Sequence, residues 1–320
     1  MNPSESERIV SEPFETEIPF RGPRSLCLGP PGVLCVVDEI GHGVAAFDLE
    51  GRMLWRFDSN LPEMGPLRYP SDVAFAGDRY WVADRFRRRV LCLSREGAPL
   101  WCFPEDGDGA GALEEPLGVA AASGGRAALT DAGTRTVRIL DPRGRSERVF
   151  GTPGPGSRFY RSRLFKTQEV YRKWLAAQTR FTTLESRFFS SGFYVGDLDQ
   201  PRGVAAIKGR LWVADYAGSI QVFSRDGRLE RSLEAPPFVR WIAPFGDSVF
   251  VSRDSSPCLY RVSPDGPPEE TPALDREAGK FVFGEDGELF FCSPWERRVF
   301  RVPAGRMCRA LSAVGAFGGG

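Results

Sequence analysis

The sequence predicts an all-β fold, a six-bladed β-propeller of four-stranded antiparallel blades, with one amphipathic helix inserted between blades three and four. Three observations carry that expectation. The 320 residues are 42% hydrophobic and 12% aromatic, a folding composition, and 36 glycines and 26 prolines are spread along the chain as punctuation between short segments. One unit of sequence recurs six times. A single stretch, 152–199, breaks the recurrence and carries a helical period instead of an alternating one.

The recurrence is clearest in two copies. Residues 70–84 read PSDVAFAGDRYWVAD and residues 201–215 read PRGVAAIKGRLWVAD, matched in length and in the placing of apolar residues. Residues 116–131, PLGVAAASGGRAALTD, repeat the unit with one residue more. After each terminal aspartate comes a short alternating strand and a polar turn ending in glycine, as in VLCLSREG, VRILDPRG and IQVFSRDG. Residues 23–51, 239–266 and 279–305 follow the same template more loosely, with Arg253 and Ser293 where the aspartate should stand. A further short segment follows each glycine, the last being RMCRAL at 306–311. Six copies of four short strands, roughly 36 to 47 residues apart, read as blades around an axis. On this reading residues 1–20 form an N-terminal segment, 21–311 the propeller with its insertion, and 312–320 a flexible tail. RMCRAL supplies the fourth strand of blade six, so RIVSEPF near the N-terminus is left spare, free to shield an outer edge.

The pattern of Pro-x-x-Val-Ala, an apolar triplet ending in Asp, and an alternating strand closed by Asp or Ser with Gly resembles the NHL repeat, over about residues 21–311. The resemblance implies fold and says little about chemistry. Other propellers of this kind are enzymes whose ligands can be sought. Zinc held by several histidines, as in the amidating lyase of peptide hormones, finds only His42 here. Calcium held by Glu, Asp and two Asn, as in the gluconolactonase and paraoxonase group, finds only Asn2 and Asn60. An improvised carboxylate set from Asp72, Glu114, Glu115 and Asp199 is the remaining option. Seven cysteines occupy mostly apolar positions without metal-ligand spacing, and no GxSxG occurs. No catalytic residue, metal or cofactor is therefore assigned. The aligned Asp38, Asp84, Asp131 and Asp215 are expected to accept backbone N–H groups in the turns after their strands.

Charge carries the functional expectation. The 42 basic and 42 acidic residues balance, yet the turns between the second and third strands of the blades hold Arg85, Arg87, Arg88, Arg89, Arg297 and Arg298. The residue opening each innermost strand is Arg24, Ser71, Leu117, Arg202, Arg240 or Lys280, four cations in six. With Tyr216 and Trp295 interleaved, this face is expected to bind an acidic protein or single-stranded nucleic acid, as a non-enzymatic scaffold. The competing account pairs each arginine with an acid such as Glu115 or Asp199. The alternative function is a small-molecule hydrolase of lactonase type, or a ligand sensor, acting at the central channel. Within the insertion, Val170, Trp174, Ala177, Phe181, Leu184 and Phe188 form one stripe of a helix over about 165–189. No run of about 18 apolar residues and no basic-then-apolar leader is present, so no membrane contact and a cytoplasmic setting are expected.

Overall fold

The computed structural model describes residues 8–58, 64–104, 113–153, 197–198, 200–216, 218–254, 256–263 and 267–312. Six four-stranded antiparallel sheets form the propeller. Labelling strands a to d from the axis outward, blade one is Pro23–Leu28, Val33–Asp38, Gly43–Asp48 and Met53–Phe57, and blade two is Pro70–Phe75, Arg79–Asp84, Arg89–Ser94 and Pro99–Phe103. Blade three is Pro116–Ala122, Arg126–Asp131, Thr136–Leu140 and Ser146–Phe150; blade four is Pro201–Ile207, Arg210–Asp215, Ser219–Phe223 and Leu229–Glu234. Blade five is Val239–Phe245, Ser248–Arg253, Leu259–Val262 and Glu269–Glu270. Blade six takes Phe281–Phe283, Leu289–Ser293 and Arg298–Val302 from the end of the chain and its outermost strand, Glu12–Pro13, from the beginning.

That last pairing corrects two expectations about closure. RMCRAL is not a strand but lies in a helix, α1 (Ala304–Ser312), entered after Pro303, whose fixed φ and missing N–H suit a helix start. Its Met307 and Leu311, four residues apart, are buried on one face. The vacated edge is filled by Glu12 opposite Arg301 and Pro13 opposite Phe300. Proline is tolerated because this is an outermost strand. On either side Ile9 and Phe14 are buried, and Ile9 makes a parallel bridge to Leu274.

The core is six sectors, one between each pair of neighbouring blades. Tyr80, Val73, Cys35 and Leu91 fill the sector between blades one and two, and Trp81, Val119 and Leu129 the next. Phe250, Phe281, Phe291, Phe300 and Met307 fill that between blades five and six, and Phe14, Leu26, Phe47 and Phe290 close the ring between six and one. Near the axis the strands meet through backbone. A Cβ on Gly118 would stand 2.1 Å from the Arg202 carbonyl oxygen, and one on Gly203 would stand 2.6 Å from that of Arg240. Only glycine allows blades three, four and five to approach so closely.

The repeated aspartates act as expected, with a wider reach. Asp38 accepts from the amides of Gly41 in the following turn and of Arg21 and Gly22 in the chain entering strand a. Asp131 likewise takes Gly133 and Thr134 on one side and Glu114 and Glu115 on the other. Asp84 takes Arg68 and Asp215 takes Gln200. Each carboxylate thus stitches the end of strand b to the start of its own strand a.

At the base of the insertion Thr152–Pro153 pairs in parallel with Asp197–Leu198. The helix expected over 165–189 lies outside the described residues. No helix among the described residues is long and apolar enough to cross a membrane.

Candidate functional site

Every fully paired strand a begins irregularly. The register with strand b skips the second residue in blades one, two, three and five, and it shifts between Pro201 and Val204 in blade four. Such bulges re-aim a side chain. Arg24, Ser71, Leu117, Arg202 and Arg240 consequently line, with Trp241, a void of about 10 Å3 at this mouth of the channel. Lys280 holds the corresponding place in blade six and behaves differently. It is buried, and its Nζ donates to Asp72 Oδ1 at 2.8 Å and Oδ2 at 3.1 Å.

Asp72 is the hub of a polar layer across the axis. Fully buried, it accepts from Ser25 Oγ of blade one, from the amides of Val73 at 2.9 Å and Val119 at 2.8 Å, and from Lys280 of blade six. A carboxylate with four donors is compensated for burial. Beside it the Trp241 ring faces Lys280 Nζ at 5.1 Å and the guanidinium carbons of Arg24 and Arg240 at 5.8 Å each.

Beyond this layer the channel opens into a cavity of about 300 Å3. Its wall is the middle and end of all six strands a, among them Leu26, Phe75, Val119, Ala205, Ile242 and Phe283. Among the described residues Lys280 is the one charged side chain in that wall. The compartment is an apolar pocket with a cation at its inner end, of a size for a small ligand.

The other charges singled out in the sequence are largely spoken for. Arg85 pairs with Glu115, and Arg89 is buried against Asp84 at 2.9 Å and donates to the Met64 and Gly65 carbonyls. Burial pushes Asp84 upward in spite of the Arg68 amide and Arg89. Arg240 pairs with Asp254 at 2.7 Å, and Asp254 also accepts from Tyr216 Oη. Arg202 reaches Gln200 Oε1 at 3.1 Å and lies over the Tyr216 ring at 4.7 Å. Arg24 stands 4.0 Å from Glu39, whose carboxyl is pushed up by burial, with Arg85 and His42 opposing. Arg298 pairs with Glu15 at 3.5 Å. Arg87, Arg88, Arg297 and Trp295 are exposed, on the turns of blades two and six. His42 is held in its turn, its Nδ1 accepting from the Tyr69 amide.

Among the described residues no three His, Cys, Asp or Glu side chains converge as metal ligands. Of the improvised set, Asp72 and Glu115 are engaged as above, and Asp199 lies outside the described residues. Among the described residues the channel mouth offers arginines and a lysine-paired aspartate, which supply neither the histidines of a zinc site nor the clustered oxygens of a calcium site. What sequence reasoning missed is the Asp72–Lys280 pairing and the place of Trp241. The signal was present at the third residue of strand a, where Ser25 and Asp72 stand in two copies and Gly118 and Gly203 in others.

No protein-family model matches the chain, and no curated protein sequence matches it. Solved structures do resemble it. A gluconolactonase from Xanthomonas campestris superimposes with a TM-score of 0.58 at 17% identity, over 89% of this chain and 86% of that one. A streptogramin B lyase does so at 0.57 and 13%, over 91% and 96%. Virginiamycin B lyase from Staphylococcus aureus gives 0.56 and 12%, over 89% and 82%. At such identities the likeness is one of fold. It supports a six-bladed propeller and stops short of NHL-repeat membership. It also corrects the expected function: these neighbours are lyases and a lactonase, so the reading as a non-enzymatic protein-binding scaffold is set aside. The arginines on which that reading stood are mostly engaged within the fold.

Proposed function

We propose that the protein is a small-molecule enzyme of hydrolase or lactonase type that works in the central channel. The observation that supports it is the apolar cavity of about 300 Å3 whose wall carries the buried Lys280. A compact, largely apolar substrate would fill the cavity, and the ammonium would meet its carbonyl oxygen. A fixed cation in an apolar-walled pocket favours the oxyanion that develops as water attacks a lactone or ester carbonyl. Asp72 acts as a positioning residue, since it fixes Lys280 Nζ from behind.

The test is hydrolysis of a panel of aliphatic and aromatic lactones and esters by the wild type, Lys280→Met and Ala121→Phe. Ala121 lies on the cavity wall, where a phenyl ring would fill space. Turnover by the wild type that falls at least tenfold in both variants supports the proposal. Saturable thermal stabilisation by panel members without turnover moves the reading to a ligand sensor at the same cavity. Neither turnover nor stabilisation by any member overturns both.

A further inference from the structure

We infer that the arginine-bearing mouth of the channel, on the far side of the Asp72–Lys280 layer from the cavity, is a binding site for a small anion. Its ligand is a halide or one oxygen of a phosphate or carboxylate, held among Arg24, Arg202 and Arg240.

Four observations meet there. The first is size. The void bounded by Arg24, Ser71, Leu117, Arg202, Arg240 and Trp241 is about 10 Å3, room for a single water-sized atom. The second is unmet donors. Arg24 Nε and Arg202 Nε are buried and reach no acceptor among the described residues, and both belong to side chains lining the void. Buried guanidinium N–H groups without acceptors are costly, and charge-assisted bonds to an anion are the strongest way to satisfy them.

The third is local charge. Among the described residues two carboxylates pair with the three guanidinium groups, and they are unequally placed. Asp254 is close to Arg240 and is shared with Tyr216 Oη, whereas Glu39 stands at the 4.0 Å limit from Arg24. Among the described residues Arg202 finds the neutral Gln200 amide and the Tyr216 ring. Lys280 adds no excess, because Asp72 neutralises it. Among the described residues the mouth therefore carries one positive charge in excess, and low-dielectric walls concentrate its field. The fourth is preorganisation. Trp241 lies beside Arg24 and Arg240, and Tyr216 beneath Arg202, so the guanidinium planes are held before any ligand arrives.

The mouth is separated from the apolar cavity by the Asp72–Lys280 layer, so an anion site there stands whether or not the cavity proves to be catalytic. Its test is thermal stability and calorimetric titration with sodium chloride, phosphate and acetate, at ionic strength held constant with a bulky organic anion. Wild type, Arg24→Met, Arg202→Met and, as a charge control on an exposed turn, Arg143→Met are compared. Saturable stabilisation by at least one anion, weakened tenfold or more in the two mouth variants and kept in Arg143→Met, is the expected result. The anion that saturates at lowest concentration tells halide from oxyanion. Arg202→Lys, which keeps the charge but loses the Nε donor, should weaken binding severalfold while remaining folded. If chloride is the anion that saturates first, bromide soaked into wild-type crystals should give an anomalous peak between Arg24, Arg202 and Arg240. Equal and unsaturating effects of all three salts in the wild type and every variant would overturn the inference.

Discussion

Replacing Asp72 by alanine removes the acceptor that Ser25, Val73, Val119 and Lys280 share, and strands the Lys280 ammonium in a buried layer. Breaking a buried pair from one side costs about 3–5 kcal/mol, because the surviving charge is uncompensated. Lys280→Met is the milder change. Asp72 keeps three donors, and the thioether chain suits both the apolar cavity and the Trp241 ring, so the cost should be about 1–2 kcal/mol. In the double variant no stranded charge remains, and the cost should fall to about 3 kcal/mol, below that of Asp72→Ala alone. The pair should therefore be strongly non-additive, with a coupling of about 2.5 kcal/mol. Guanidinium denaturation followed by tryptophan fluorescence measures all four proteins of the cycle. The reasoning fails if Asp72→Ala is no worse than Lys280→Met, or if the two add within about 0.5 kcal/mol.

Two further predictions rest on other parts of the fold. Five cysteines are buried and Cys102 and Cys308 are partly accessible, while burial raises Cys92 and Cys258 to about 12. At pH 8 a thiol reagent should label two sites quickly in the native protein and the rest only in denaturant, and rapid native labelling of four or more would contradict the burial described. Phe14→Ala should cost about 3–5 kcal/mol, a core truncation, since the ring packs edge-on to Phe290 at 5.7 Å in the sector that closes the ring. A change below 1 kcal/mol in chemical denaturation would mean that the N-terminal strand is dispensable.

The blades were legible because their determinants are local. Strand alternation, glycine turns and the capping aspartates all act within about 17 residues, as the bonds from Asp131 to Glu114 and Glu115 show. Ring closure was not legible. A strand of two residues has no period to detect, and Glu12 finds its partner Arg301 almost the whole chain away. RMCRAL could have been read otherwise: Pro303 ahead of it and the Met307 to Leu311 spacing both favour a helix. The site fared similarly. Alignment correctly brought Arg24, Arg202 and Arg240 to one mouth, but which acid each meets is a tertiary matter. Arg85 and Glu115 are 30 positions apart, and Lys280 and Asp72 are 208 apart. A basic face was thus inferred from charges whose counterions could not be located in the sequence.

The outermost strand of blade six has a consequence for how the molecule is made. Residues 12–13 are synthesised almost 290 positions ahead of Phe300 and Arg301, which they pair with. At roughly 5–20 residues per second the interval is about 15–60 s. Throughout it the sectors flanking blade six have only one wall, and Phe14, Leu26 and Phe47 face solvent or one another. Until the clasp forms, with Arg306 of α1 donating to the Val10 carbonyl and facing Glu12, the nascent chain is an open arc with two sticky ends. Two such arcs could exchange their first strands in place of closing on themselves. The separation of the two halves of blade six along the chain thus makes strand exchange the competitor of ring closure.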